Sequence, residues 1–309
     1  MADGRASGCV AGEDIGGRMK RIILVALLIA LGVRLLVVRQ CQKPTGAEVE
    51  HRVFLPIVMT GPKPALRGVG LTGPVVAVDQ LAVAWYYTWF WQCPADRRFL
   101  PMIRGRPEMA HLREAVDCAK SGDGWLMGFN EPNNPEPYGN NIPPAEAAEM
   151  WRRIEEVAVG VKLLSPAPSQ EDFGWLWRMV AEYKRLYGQK PRFDAIGVHW
   201  YNWQNPSEVQ PAKDYLLRVR REALAHGYNV DVWLTEFAGH VNRADPSGGH
   251  QLLMRELIPW MRGQSWIARY AWFASLVKPV EPWCAGCQHC SLTYSDGSLT
   301  PLGELYRGY

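Results

Sequence analysis

The chain has 309 residues, 48% of them hydrophobic, with 14 Trp and a formal charge of +3, enough to bury one large core in one main domain. Lys and Arg are spread among Asp and Glu instead of gathering into stripes, which excludes the electrostatic footprint of a nucleic-acid binder. So many indoles serve core packing first, but their flat amphipathic faces also suit stacking on sugar rings.

The elements begin with an export signal. Residues 22–38, IILVALLIALGVRLLVV, form an apolar run behind Arg18, Lys20 and Arg21, the charged-then-hydrophobic order of a targeting segment. Arg34 cuts the run after about 12 apolar residues, nearer to a signal-peptide core than to the ~20 of a transmembrane helix. No A-x-A cleavage site follows, so a cleaved signal and an uncleaved anchor both stay open. Either way, 1–39 is expected to export the domain, secreted or held on the outer face of the cytoplasmic membrane, with membrane contact only through this segment. Met19-Lys20-Arg21 reads as a natural start for such a signal, leaving 1–18 as an extension. Residues 40–65, with Pro44, Pro56, Pro62 and Pro64, lack periodicity and read as a linker.

From residue 66 to 309 short apolar runs alternate with amphipathic stretches. Strands are expected at 67–71, 82–88, 99–104, 125–131, 162–166, 193–201, 230–237 and 268–275; most are near-continuous apolar runs, as in parallel strands buried on both faces. Pro143-Pro144 open a helix whose Trp151, Ile154 and Val157 share a face; Leu216, Val219 and Ala223 mark a second helix, and Leu253, Leu257 and Trp260 a third. The first crossover is very short and the second has little helical character. Eight strands in about 245 residues predict an α/β fold, a single (β/α)8 TIM barrel. No Gly-rich phosphate loop follows the first strand, which argues against a doubly wound open sheet.

Three cysteines crowd into WCAGCQHC: Cys284, Cys287 and Cys290, beside His289. Zinc there would pack its ligands too tightly for a tetrahedral site. In an oxidising compartment a disulfide pinning this loop to itself or to Cys93 is expected instead. Cys41 follows Arg39-Gln40 where a lipidated cysteine needs a small residue, so no lipoprotein anchor is expected.

Active groups of a barrel cluster at the C-terminal ends of its strands, and two of these strands end in a carboxylate: Glu131 closes WLMGFNE and Glu236 closes VDVWLTE. A charge after an apolar run is expensive unless solvated, paired or used. Two carboxyl groups flanking one bond are what glycoside hydrolysis requires. Position alone does not say which is the acid and which the nucleophile.

GFNEP at 128–132, TEF at 235–237, HWY at 199–201 and WYYTW at 85–89 resemble the pattern of glycoside hydrolase family 128, in clan A of the barrel glycosidases. The likeness runs from about residue 68 to the C-terminus through SPAP (165–168), YAWF (270–273) and DGSLTPLG (296–303). It implies a retaining endo-β-1,3-glucanase without cofactor or metal, with Glu131 as acid/base and Glu236 as nucleophile. Asn130 is implied to bond the sugar 2-hydroxyl, His199 and Tyr201 to orient the nucleophile, and Trp272 to floor the subsite of the distorted sugar. Trp85, Tyr86, Tyr87 and Trp89 are candidate sugar platforms, with core packing claiming about half of them because alternate residues point opposite ways. Arg104 stands where the family pattern has an aromatic residue, a change that would alter substrate length or admit acidic sugars. The expected partner is a β-glucan, bound by a monomer. The rival readings are a carbohydrate-binding pseudoenzyme on the same barrel, a glycosidase for another β-glucan linkage, and a zinc hydrolase. The last is disfavoured because His199, His240 and His250 form no HExxH or comparable pair.

Overall fold

The computed structural model describes residues 65–135, 140–202, 208–239, 248–277 and 287–309. The described residues all fall within one compact unit, Pro62–Tyr309. The export segment and the linker up to residue 64 lie outside the described residues. Among the described residues no helix is long and apolar enough to cross a membrane.

Seven strands form: β1 (Leu66–Gly70), β2 (Trp85–Tyr87), β3 (Trp125–Met127), β4 (Lys162–Leu164), β5 (Ala195–Tyr201), β6 (Asp231–Ala238) and β7 (Ile267–Phe273). All pair in parallel, in the order β2-β1-β7-β6-β5-β4-β3. The expected strand at 99–104 is reduced to two isolated parallel bridges, Tyr86 with Phe99 on one side and Met102 with Met127 on the other. Its physical reason is Pro101, which has no N–H to give a ladder. The segment still joins the two sheet edges: Leu100 N–H donates to Tyr86 O at 2.8 Å, Met127 N–H to Pro101 O at 2.9 Å and Ile103 N–H to Met127 O at 3.0 Å. The result is a curled parallel sheet compatible with a TIM-like barrel.

Seven helices accompany it among the described residues: α1 (Val76–Gln80), α2 (Leu112–Ser121), α3 (Pro144–Val157), α4 (Gly174–Tyr187), α5 (Gln210–Ala225), α6 (Gly249–Arg262) and α7 (Pro301–Arg307). The expected apolar faces are the buried ones: Trp151 and Ile154 on α3, Leu216, Val219 and Ala223 on α5, Leu253 and Leu257 on α6. The crossover after β2 has no helix of its own until residue 107. It is tied down by a disulfide between Cys93 and Cys118 of α2. This corrects the expected link from the Cys-rich loop to Cys93, which finds its partner on the neighbouring helix instead. Cys290 is a buried thiol whose pKa burial pushes up to about 12; Cys284 lies outside the described residues.

Strand alternation separates two buried layers. Trp85, Tyr87, Leu100, Met102, Met127, Leu164, Ala195, Trp233 and Ala271 pack inside the curled sheet, while the larger cluster fills the space between strands and helices. At the N-terminal end of the strands, Arg269 sits with its guanidinium carbon 4.3 Å from the Trp233 ring centre, near Trp85 and Trp125 as well, and pairs with Asp123. Trp85 belongs to this floor. It is fully buried and donates its indole N–H to Leu66 O, so its expected role as a sugar platform does not hold.

Candidate active site

The local sequence explains how both glutamates reach the C-terminal end of the sheet. At Gly128 the chain runs so close to β4 that a Cβ would come within 2.8 Å of Pro166 N and 2.9 Å of Leu164 O, which only glycine tolerates. Asn130 then bridges Ala167. Glu131 follows with φ +41°, left-handed for a residue with a side chain, its N–H held by Ala167 O at 2.9 Å.

On β6, simple alternation from interior Trp233 would turn Thr235 inward and Glu236 out toward the helices. The register with β5 shifts at this point: Val198 pairs with Leu234, but His199 pairs with Glu236. The extra residue, Thr235, is pinned by its hydroxyl to Val198 O at 3.1 Å. A bulge of this kind re-aims the next side chain, and here it delivers Glu236 to the interior. β5 keeps its alternation, so His199 and Tyr201 face the same side as interior Ala195.

These side chains form one network. His199 Nδ1 lies 2.9 Å from Glu131 Oε1 and 3.5 Å from Glu236 Oε2. Tyr201 donates its hydroxyl to Glu236 Oε2 at 2.5 Å, and Trp89 its indole N–H to Glu236 Oε1 at 2.7 Å. The Tyr87 hydroxyl stands 2.8 Å from Thr235 O and 3.4 Å from Glu236 Oε1. Asn134 Nδ2 donates to Glu131 Oε2 at 2.9 Å. One ligand-capable atom from each of Glu131, His199 and Glu236 lies within 4.8 Å of the others, so among the described residues this is also the group able to hold a cation. Both oxygens of Glu236, however, already accept N–H or O–H hydrogens, a shell suited to a bare carboxylate.

Burial sets the electrostatics. It lifts the Glu236 carboxyl above its ordinary value, with Glu131 adding repulsion, while His199, Tyr201 and Trp89 pull against the rise. For His199, burial alone would favour the neutral ring, but the carboxylates of Glu236 and Glu131 outweigh it and raise its pKa. Burial, reinforced by Glu236, holds Tyr201 and Tyr87 far above the usual phenol range, so both remain donors.

The structure thus gathers Glu131, Glu236, Asn130, His199, Tyr201, Tyr87 and Trp89 at one mouth, with Arg104 on the same rim. Four expectations change in detail. His199 stands closer to Glu131 than to Glu236. Tyr87 is sealed beneath the site and serves as a hydrogen-bond donor, not a platform, and Tyr86 faces outward against Phe99. Trp272 has no exposed surface; it packs outward against Phe237, His250 and Tyr306 and donates to Cys290 O at 2.8 Å. Its place in the cleft is taken by Phe273, one residue on and of opposite parity, whose ring centre lies 5.6 Å from Tyr201 and 5.7 Å from Trp89. The pattern of alternation along β7, with Ala271 inside, was the signal for it. Asn134 carried no such signal, because it reaches Glu131 through the turn after Pro132.

Residues 72–306 match the family model described as glycosyl hydrolase catalytic core. No curated protein matches the chain by sequence. Among solved structures, an endo-beta-1,3-glucanase of glycoside hydrolase family 128, subgroup II, from Sorangium cellulosum is 25% identical; the match covers 79% of this chain and 98% of that one, with a TM-score of 0.61. A curdlan-specific exo-beta-1,3-glucanase of subgroup III from Blastomyces gilchristii, solved with glucose, is 22% identical, covers 81% and 100%, and has a TM-score of 0.64. A subgroup I endo-beta-1,3-glucanase from Amycolatopsis mediterranei, solved with laminaritriose, is 24% identical, covers 79% and 99%, and has a TM-score of 0.62. With three quarters of its length matched and two carboxylates meeting at the strand ends, the chain belongs to the glycosyl hydrolase catalytic core family and is a glycoside hydrolase.

Proposed function

We propose that the chain is an endo-acting, retaining β-1,3-glucanase of glycoside hydrolase family 128, working in a (β/α)8 barrel in which 99–104 takes the place of the third strand. The observation that carries the reading is the closeness of Glu131 and Glu236, with oxygens within 4.8 Å. Retaining enzymes hold their carboxyl groups about 5 to 5.5 Å apart, and inverting ones about 6.5 to 9.5 Å. The endo mode follows the Sorangium and Amycolatopsis enzymes.

Glu236, deeply buried and ringed by donors, is assigned as nucleophile and Glu131, more open to solvent, as acid/base. In the first step a Glu236 oxygen bonds to the anomeric carbon while Glu131 passes its proton to the departing glycosidic oxygen. In the second, water gives a proton to Glu131 and its oxygen displaces Glu236, restoring both groups. Asn130, next to Glu131 in the chain, is assigned to meet the 2-hydroxyl, which is supported by its buried Oδ1 having no hydrogen-bond partner among the described residues. Tyr201 and Trp89 hold the nucleophile's two oxygens in line. Export is part of the proposal, supported by the apolar run at 22–38 and by the Cys93–Cys118 disulfide.

The test is reducing-sugar release and product sizing on laminarin, curdlan, cellulose and mixed-linkage glucan, with Glu131→Gln and Glu236→Gln alongside. The expected result is short oligosaccharides from the β-1,3 chains, first released with retained anomeric configuration, and a loss of at least about 10³-fold in both variants. Release of glucose alone from the start would replace endo with exo action. Binding without cleavage by the unmodified chain would replace the enzyme with a carbohydrate-binding protein.

A further inference from the structure

Arg104 ends the 99–104 segment beside the catalytic pair. Its carbonyl accepts the Asn130 N–H at 3.0 Å and Asn140 Nδ2 at 3.1 Å, which sets its backbone next to the residue preceding Glu131. Leu100 and Met102 of the same segment are interior, and the carbonyl contact with Asn130 sets Arg104 at the rim of the cleft. The residue is half-buried, and its Nε is shut off from water with no hydrogen-bond partner among the described residues.

Among the described residues the other buried or half-buried arginines each have a partner for at least part of the guanidinium: Arg98 pairs with Asp96 and Asp79, Arg152 with Glu156 and Arg269 with Asp123, Arg67 donates to the last carbonyls of α7, and Arg220 donates to Val230 O and Asn229 Oδ1. No ion pair to Arg104 occurs among the described residues. A guanidinium held partly out of water without a counter-charge is costly. Neutral sugar hydroxyls answer its N–H groups no better than water does. A planar anion answers both the charge and the fork geometry.

Resting on the glucanase reading above, we propose that Arg104 is a substrate-contacting residue that selects β-1,3-glucan carrying an anionic group, a C6 carboxylate or a sulfate ester, on a sugar bound next to the cleavage point. Phe273 and the face of Trp89 still supply apolar contact to the ring, and Arg104 reads the charge.

The experiment measures binding by calorimetry to full-length chain carrying Glu131→Gln, so that substrate survives, with and without Arg104→Met. The ligands are laminari-oligosaccharides of one length in neutral, C6-oxidised and 6-sulfated form. At least one anionic ligand is expected to bind about tenfold tighter than the neutral one, with the gap closing in the Arg104→Met variant and narrowing as salt rises. A gain for the carboxylate alone, or for the sulfate alone, identifies the source of the charge. Equal or tighter binding of the neutral ligand overturns the proposal, as does a gap that persists in Arg104→Met with unchanged thermal unfolding. If the unmodified chain cuts neutral β-1,3-glucan and no gap is found, only this inference fails. If it cuts no glucan yet the gap is present, the glucanase reading fails and the anion site stands.

Discussion

Glu236 is a carboxyl almost sealed from water, met by hydrogen-bond donors on both oxygens and with a second carboxylate close by. Its pKa is raised, burial being the first cause. A raised acid binds its proton more readily in the folded than in the unfolded chain. Its favourable contribution is therefore complete below the unfolded value and lost as pH rises through the folded one. At neutral pH the group is a net burden on stability, the kind of strain that active sites carry. Replacing it with Gln keeps an acceptor for Trp89 and removes the charge. Glu236→Gln is expected to stabilise the protein by about 1 kcal/mol at neutral pH, with the advantage shrinking toward acid. Denaturant unfolding from pH 4 to 8 measures it. A variant less stable than the parent across that range would mean that Tyr201, Trp89 and His199 outweigh the burial.

The crossover between β2 and α2 lacks the helix that covers the other crossovers, and the disulfide stands in for it. Cys93 and Cys118 close a loop with a sequence separation of 25, so reduction, or the Cys93→Ser/Cys118→Ser pair, is expected to remove about 3 kcal/mol. A lower denaturation midpoint would register this, with cleavage in dilute buffer retained because no proposed catalytic group lies on the bridge. That pairing was not legible in the sequence, since it depends on which helix lies over the crossover. Alternation was legible where a strand runs unbroken: His199 and Tyr201 share a face on β5 as expected. It failed where the backbone is irregular. The bulge at Thr235 is what turns Glu236 inward, and the glutamate was found through its place at a strand end, not through parity. Trp272 was assigned by the resemblance to the family, while the alternation of Ala271 and Phe273 decides which ring reaches the cleft. The strand expected at 99–104 forms only two isolated bridges, because Pro101 keeps its ladder from closing.

At the scale of the molecule, the curled sheet has two unlike ends. Arg269 and three tryptophans close the N-terminal end, while the C-terminal end carries the carboxylates, an arrangement in which one end serves stability and the other chemistry. The last helix is fastened to the first strand: Thr300 caps α7 by accepting the Gly303 N–H at 3.0 Å, and the Tyr306 hydroxyl donates to Gly68 O at 2.6 Å. Every group of the proposed site, the disulfide and the whole family match at 72–306 fall within the unit Pro62–Tyr309. A chain starting at residue 62 is therefore expected to unfold in one cooperative transition and to cleave β-1,3-glucan with kcat/KM within about twofold of the longer chain, a difference of under 0.5 kcal/mol. Thermal unfolding followed beside product release checks both halves of this. A shortened chain that is folded but slow would place a substrate-binding contribution in the first 61 residues, whereas one that fails to fold would give them a structural part.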